Sequence, residues 1–397
     1  MMLPREGSTA GDLNLEPFPP CKRRKTIHTV GPPPDGELDV LLDFSSTALS
    51  STSSITERFD CIAELLFTRY RLVVNLLGTS TSREEYDILE VEFYLDKEGC
   101  HEDPYTHGAE EQRVGGQWYF HRANRSSEST YLPSTSSPSY RGGTRKGLDI
   151  TLGRCPQAAY RRQTSRYFTA SSSHENPTTH SADTANVRGG ILLRSVRRHS
   201  DSCVVSGPSL LVDELLRVSK ASSIVNLVQG HWKGDISALK PTTKNSGSSL
   251  CLKRLSDDMI PLPTTHVFCS PRVGLDISHP SVALDVEDPR IHFVIKPYRY
   301  FIHPHLLTAK GRAQTFLGVY DRLTSEAPDK DEPTIIAKME RLISLKPQTI
   351  RAYLGIYQDA RTSGTLRSFM GAAGKGASST PTTALKLYGS TRRFVET

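Results

Sequence analysis

The residue types best suited to chemistry in this chain fall between Leu89 and Gly108, in LEVEFYLDKEGCHEDPYTHG. Leu89, Val91 and Phe93 alternate with Glu90, Glu92 and Tyr94, which is the period-two pattern of a half-buried strand. One face can enter a core, and the other sets carboxylates beside an aromatic ring. Asp96, Gly99 and Pro104 end the strand, and the loop returns His101, Asp103 and His107. A carboxylate, a ring and imidazoles at one strand end suit acid–base work on something flat that stacks. An amphipathic edge strand with a polar loop explains the same letters. Cys100, His101, Asp103 and His107 also read as metal ligands, but their spacing fits no standard zinc pattern, so neither metal nor cofactor is expected.

The elements that must hold these residues are read from the rest of the chain. At 397 residues with 37% apolar content, it predicts a folded core interrupted by disordered inserts. Net charge is +6 and the isoelectric point about 8.9, which permits a polyanionic partner. Seven cysteines without a CxxC pair argue against a disulfide framework and for a reducing compartment. No apolar run reaches membrane-spanning length, so no membrane association is expected, and no secretory leader is read at the N-terminus.

Residues 1–54 read as a disordered basic arm. It contains the run Lys22–Lys25, a candidate nuclear-import signal or phosphate-touching patch. Order is expected from Ser54, with Thr56 as helix N-cap and a strand over 72–77. Inserts are expected at 123–140, 154–187 and 230–249 within a domain spanning 55–308. Three amphipathic helices follow within 309–361, two of them opened by proline. Residues 362–397 read as a disordered basic tail able to touch nucleic acid. The glycine-rich stretch around Arg141, Arg145 and Lys146 is a candidate phosphate contact. The strand Gly189–Val196 carries Arg194, which near a core demands an acidic partner.

Several blocks stand in a fixed order: LEVEFYL, DPYTH, GxWYFH, GLDIT, ILLRSV, GPSLL and RVGL. This order resembles the alkyladenine (methylpurine) DNA glycosylase family over roughly residues 56–305. The resemblance implies a single α+β domain, similar to a formyltransferase C-terminal domain, with a curved, mainly antiparallel sheet and few helices. It implies a base-excision hydrolase, expected as a monomer, whose partner is DNA bearing alkylated purines; with the basic run at 22–25 the expected location is the nucleus, otherwise the cytoplasm. Block by block, Glu92 corresponds to the general base. Tyr94 and His107 correspond to the two walls of the base pocket. Tyr119 and His121 fall on family tyrosines, Asp149 on a pocket asparagine and Arg194 on an arginine lining the site. Asp149 and His121 depart from the family types, and the place of the family's intercalating tyrosine holds a serine-rich insert. The alternatives are an N-glycosidase of the same fold acting on nucleosides, nucleotides or single strands, and a non-catalytic nucleic-acid-binding relative. The enzyme reading requires Glu92 to face an opening wide enough for a nucleobase rather than be closed off in an ion pair.

Overall fold

The computed structural model describes residues 37–75, 83–121, 146–154, 186–239, 249–256, 266–278, 282–285, 287–307, 310–370 and 380–396. The fold is α+β. Ten strands form one sheet: β1 (Tyr70–Asn75), β2 (Arg83–Lys97), β3 (His101–Glu102), β4 (Trp118–His121), β5 (Gly147–Leu152), β6 (Val187–Arg198), β7 (Val204–Ser206), β8 (Ser249–Arg254), β9 (Phe268–Ser270) and β10 (Arg299–Phe301). The main path runs β4-β5-β6-β2-β1-β8, with β10 beside β2 and β9 beside β10. Every pairing of these strands is antiparallel.

The 15-residue β2 is the spine. Along one edge it pairs with β6, and along the other with β1 and then β10. Register shifts at Ile88/Glu90 and Glu90/Val91 mark bulges, which bend a strand and raise its twist. The expected alternation is present: Leu89, Val91 and Phe93 are fully buried. Phe93 stacks on Phe59 of helix α2 (Thr52–Thr68) with centroids 4.4 Å apart. Glu90, Glu92 and Tyr94 take the opposite face.

The chain is ordered earlier than the sequence suggests. Helix α1 (Glu37–Leu41) precedes α2, and Leu38, Leu42 and Phe44 are buried. Lys97, itself buried, donates to Ser46 O at 2.8 Å and Leu49 O at 2.7 Å. A buried ammonium needs acceptors, and these two carbonyls tie the arm to the end of β2. The N-cap of α2 is Ser51, in a reciprocal capping box with Ser54, not Thr56, whose hydroxyl donates to Thr52 O at 2.8 Å. Within the expected loop at 230–249, Ala238 is buried and donates to Gly116 O at 2.9 Å. The insert expected at 123–140 lies outside the described residues, and that at 154–187 does so apart from its ends.

Helix α3 (Pro208–Val218) opens with its proline in the first turn, as expected, and packs on β5 and β6. A short α4 (Pro289–Val294) precedes β10. The three expected helices are α5 (Arg312–Glu326), α6 (Glu332–Ile343) and α7 (Pro347–Ser363).

The region expected as a disordered tail instead forms α8 (Pro381–Glu396). Its Leu385, Leu387 and Tyr388 are buried. The tail arginines serve the fold: Arg392 donates to Asp321 Oδ1 at 3.0 Å and Tyr357 Oη at 2.6 Å, and Arg393 donates to Gly364 O at 2.7 Å. An apolar stripe this narrow, among so many basic residues, resembles a solvated segment until α7 supplies its counter-face.

Gly389 is where α8 meets α7. A Cβ there would lie 2.6 Å from Tyr357 O and 2.7 Å from Ala360 Cβ. In an open helix glycine-to-alanine stabilises by about 1 kcal/mol, but overpacking a close contact costs about 1–3 kcal/mol. Gly389→Ala is therefore expected to lower the thermal unfolding midpoint and expose α8 to limited proteolysis. A raised midpoint contradicts this packing.

Candidate functional site

The polar face of the sheet collects the residues singled out in the sequence. Register pairs run across it as Tyr119–Asp149, Asp149–Leu192, Leu192–Glu92, Glu92–Arg299 and Arg299–Ser270. Residues directly opposed in a sheet point to the same face, so these side chains form one row over six strands. Tyr94, Gly190 and Thr151 form the next row on that face. Gly190 makes room, since a Cβ would sit 3.1 Å from Asp149 Oδ2. Gly147 does the same for His121, whose Nε2 would be 1.9 Å from a Cβ there.

Glu92 has no exposed surface and lies in an ion pair with Arg194 at 3.4 Å, so the opening expected onto this acid is not seen among the described residues. Its Oε1 accepts from Val273 N at 2.6 Å. Its Oε2 accepts from Tyr94 Oη at 2.9 Å and from Arg194 Nη1 at 3.4 Å. Burial, with the Glu92 charge second, pushes the Tyr94 hydroxyl well above its ordinary range, so the phenol stays a donor. Arg272 places its guanidinium over the Tyr94 ring, 4.4 Å from the centroid.

Around this acid lies a buried charge lattice. Arg194 and Arg299 both donate to Glu90 Oε1, at 2.9 and 2.6 Å, and Ser195 donates to Glu90 Oε2. Arg299 also reaches Ser270 Oγ and Thr315 Oγ1, each at 3.0 Å. Arg272 pairs with Asp103 at 2.5 and 3.2 Å and donates to Phe93 O at 3.0 Å. Three guanidinium groups thus face three carboxylates, all six buried. Burial alone would lower the Arg194 cation, but Glu92 and Glu90 hold it above its ordinary value.

Farther along the same face, past Leu192 and Asp149 in the register, stands a cluster of rings. His107 and His121 lie 4.6 Å apart between centroids, and Tyr119 and His121 6.4 Å apart. His107 is exposed and Tyr94 half-buried, while Tyr119 and Asp149 are buried. Asp149 Oδ1 lies 3.4 Å from His121 Nε2 and has no hydrogen-bond partner among the described residues. A buried carboxylate oxygen without a donor is costly.

The seven expected pocket residues therefore share one face, in two groups: Glu92, Tyr94 and Arg194, and the ring cluster of His107, Tyr119 and His121 with Asp149. Two of the first-named loop residues do not join them. His101 is buried, its Nδ1 2.9 Å from Leu95 O and its Nε2 2.9 Å from Tyr298 Oη, because β3 folds back on the end of β2. Asp103 is committed to Arg272. Among the described residues no group of three or more metal-type ligands is placed to hold an ion. Lys146 is exposed and pairs with Asp213 at 2.9 Å, while Arg141 and Arg145 lie outside the described residues. A cavity of about 380 Å³, lined in part by Cys100, His292, Phe293 and Val395, is not lined by Glu92.

Arg272, Arg299 and the Val273 N–H were not picked out as site groups in the sequence. The rule that flagged Arg194, a cation within an apolar run, applies equally to Arg299 in its Tyr-Arg-Tyr-Phe context. A main-chain N–H leaves no side-chain signal.

Burial opposes the Glu90 carboxylate, but Arg299 and Arg194 outweigh it and bring it down to about 2. A carboxylate depressed on folding contributes stability above its unfolded value near 4.5 and loses it as pH falls through about 2. The difference corresponds to about 3 kcal/mol. Glu90→Gln is expected to flatten the acid limb of a stability–pH curve between those values, measured by denaturant unfolding. An unchanged acid limb contradicts the pairing.

No described helix is long and apolar enough to cross a membrane. No protein-family profile matches the chain. It is similar to an uncharacterized protein of Acanthamoeba polyphaga mimivirus, 27% identical over 253 residues, which span 62% of this chain and 85% of that protein.

Proposed function

We propose that this protein is an N-glycosidase of the DNA glycosylase type, which binds an alkylated purine against Tyr94, His107 and His121 and releases it by water attack directed by Glu92. The observation that carries this reading is the single face of sheet on which a buried acid and a half-open set of rings stand together. Glu92 Oε1 accepts one hydrogen bond from protein, from Val273, and a carboxylate oxygen has a second lone pair to offer a water. A purine alkylated at a ring nitrogen carries positive charge and leaves readily. It stacks on aromatic rings with a cation–π attraction of roughly 0.5–2 kcal/mol. Asp103 neutralises the Arg272 cation over Tyr94, which limits repulsion of such a base. Duplex DNA has to be flipped at a cost of a few kcal/mol. DNA as partner and nuclear location belong to this proposal, and the Lys22–Lys25 run lies outside the described residues.

A second reading is a protein that holds a nucleobase without cleaving its bond. The full burial of Glu92 and its three donors favour it, because an acid so engaged is less free to take a proton.

Base release from methylated DNA, methylated single strands and free methylated nucleosides decides among these. Glu92→Gln is expected to lower release by about two to four powers of ten, with folding checked by circular dichroism because glutamine cannot accept from all three donors. Binding without release by the wild type supports the second reading. Asp149 motivates a further expectation, since its open Oδ1 accepts from an exocyclic amine. Asp149→Asn is expected to lower excision of methylated guanine relative to methylated adenine by roughly tenfold. An unchanged base preference contradicts that role.

A further inference from the structure

We infer that Tyr388, on the C-terminal helix, is a positioning residue for Glu92; the inference deepens the proposal that Glu92 is the acting acid. The carbonyl of Arg272 and the N–H of Val273 belong to one peptide group. Its N–H donates to Glu92 Oε1 at 2.6 Å, and its carbonyl accepts from Tyr388 Oη at 3.3 Å. Tyr388 Oη in turn accepts from Gln314 Nε2 of α5 at 2.8 Å. The result is a directed chain from Gln314 through Tyr388 and one peptide group to the acid. Gln314 and Tyr388 are buried, so water does not compete strongly at either link.

Each donor in such a chain polarises the next. A hydroxyl on the carbonyl oxygen makes the peptide N–H a stronger donor, and it fixes the plane of that peptide relative to Glu92. The loop carrying Val273 needs such a hold, since Gly274 beside it adopts φ +85°. Tyr388 stays protonated because burial raises its hydroxyl above the ordinary range, with the Glu92 charge adding to this. Helix α8, which lies outside the sheet, thereby becomes part of the site.

Substitution at Gln314 separates this role from simple packing. Gln314→Glu replaces a donor by an acceptor. The single Tyr388 proton is then drawn to the new carboxylate and leaves the Arg272 carbonyl, as Tyr388→Phe also achieves. Gln314→Leu leaves Tyr388 donating to Arg272. Labelling the full chain with carbonyl-¹³C arginine and ¹⁵N valine isolates the Arg–Val peptides at 113–114, 217–218 and 272–273. The Val273 amide proton is expected to move upfield in Tyr388→Phe and Gln314→Glu, much less in Gln314→Leu, with the other two peptides fixed as controls. Base release is expected to fall roughly three- to tenfold in kcat in the first two variants, with KM unchanged. A Val273 resonance unmoved in a folded Tyr388→Phe or Gln314→Glu chain overturns the inference, as does an equal shift in Gln314→Leu. Absence of base release by the wild type defeats the proposed activity alone, because the amide measurement still decides the relay.

Discussion

Everything on the polar face of the sheet depends on the neutral lattice of Glu90, Glu92, Asp103, Arg194, Arg272 and Arg299. A single buried charge of this kind is very costly, and a broken buried pair typically costs about 3–5 kcal/mol. The three guanidinium groups reach Glu90, Glu92 and Asp103 from β6, from the loop after β9 and from β10. The lattice therefore fixes how these elements sit around β2. Hydrophobic packing of Leu89, Val91 and Phe93 holds the opposite face of the same strand. One strand thus divides a non-directional core from a directional site, and its bulges set the bend between them.

Two adjacent environments follow from this lattice. Glu90 has two arginines and a serine and is structural in its geometry. Glu92, two residues on, has one distant guanidinium, a phenol and a main-chain N–H. The second environment holds fewer guanidinium contacts, and Tyr94 rather than a serine completes it. That difference is why the proposal gives the chemistry to Glu92 and leaves Glu90 to support.

The division of β2 into an apolar and a polar face was legible from its alternation, because a strand repeats every two residues. So was the need of Arg194 for an acidic partner. The convergence of Tyr119, His121 and Asp149 with Glu92 was reached through resemblance, since nothing local sets the β4–β5–β6 register. The tail was misread because α8 is stabilised by contacts to α7 and α5, and a weak apolar stripe has meaning only with its counter-face. His101 was misplaced because the turn into β3 carries it to Leu95 and Tyr298, which composition does not reveal, and Asp103 was misread because its partner Arg272 is distant in the chain. The contribution of the Arg272–Val273 peptide was illegible, as main-chain groups carry no letter.

The central proposal is that Tyr94, His107 and His121 hold a nucleobase on the sheet face that carries the buried Glu92. Its most direct measurement is the ring-proton resonances of His107 and His121 as the protein is titrated with a duplex carrying one methylated purine, against the undamaged duplex. Both rings are predicted to shift with the methylated duplex and to stay put in Tyr94→Ala. Shifts absent from both histidines while the duplex binds elsewhere would contradict the account.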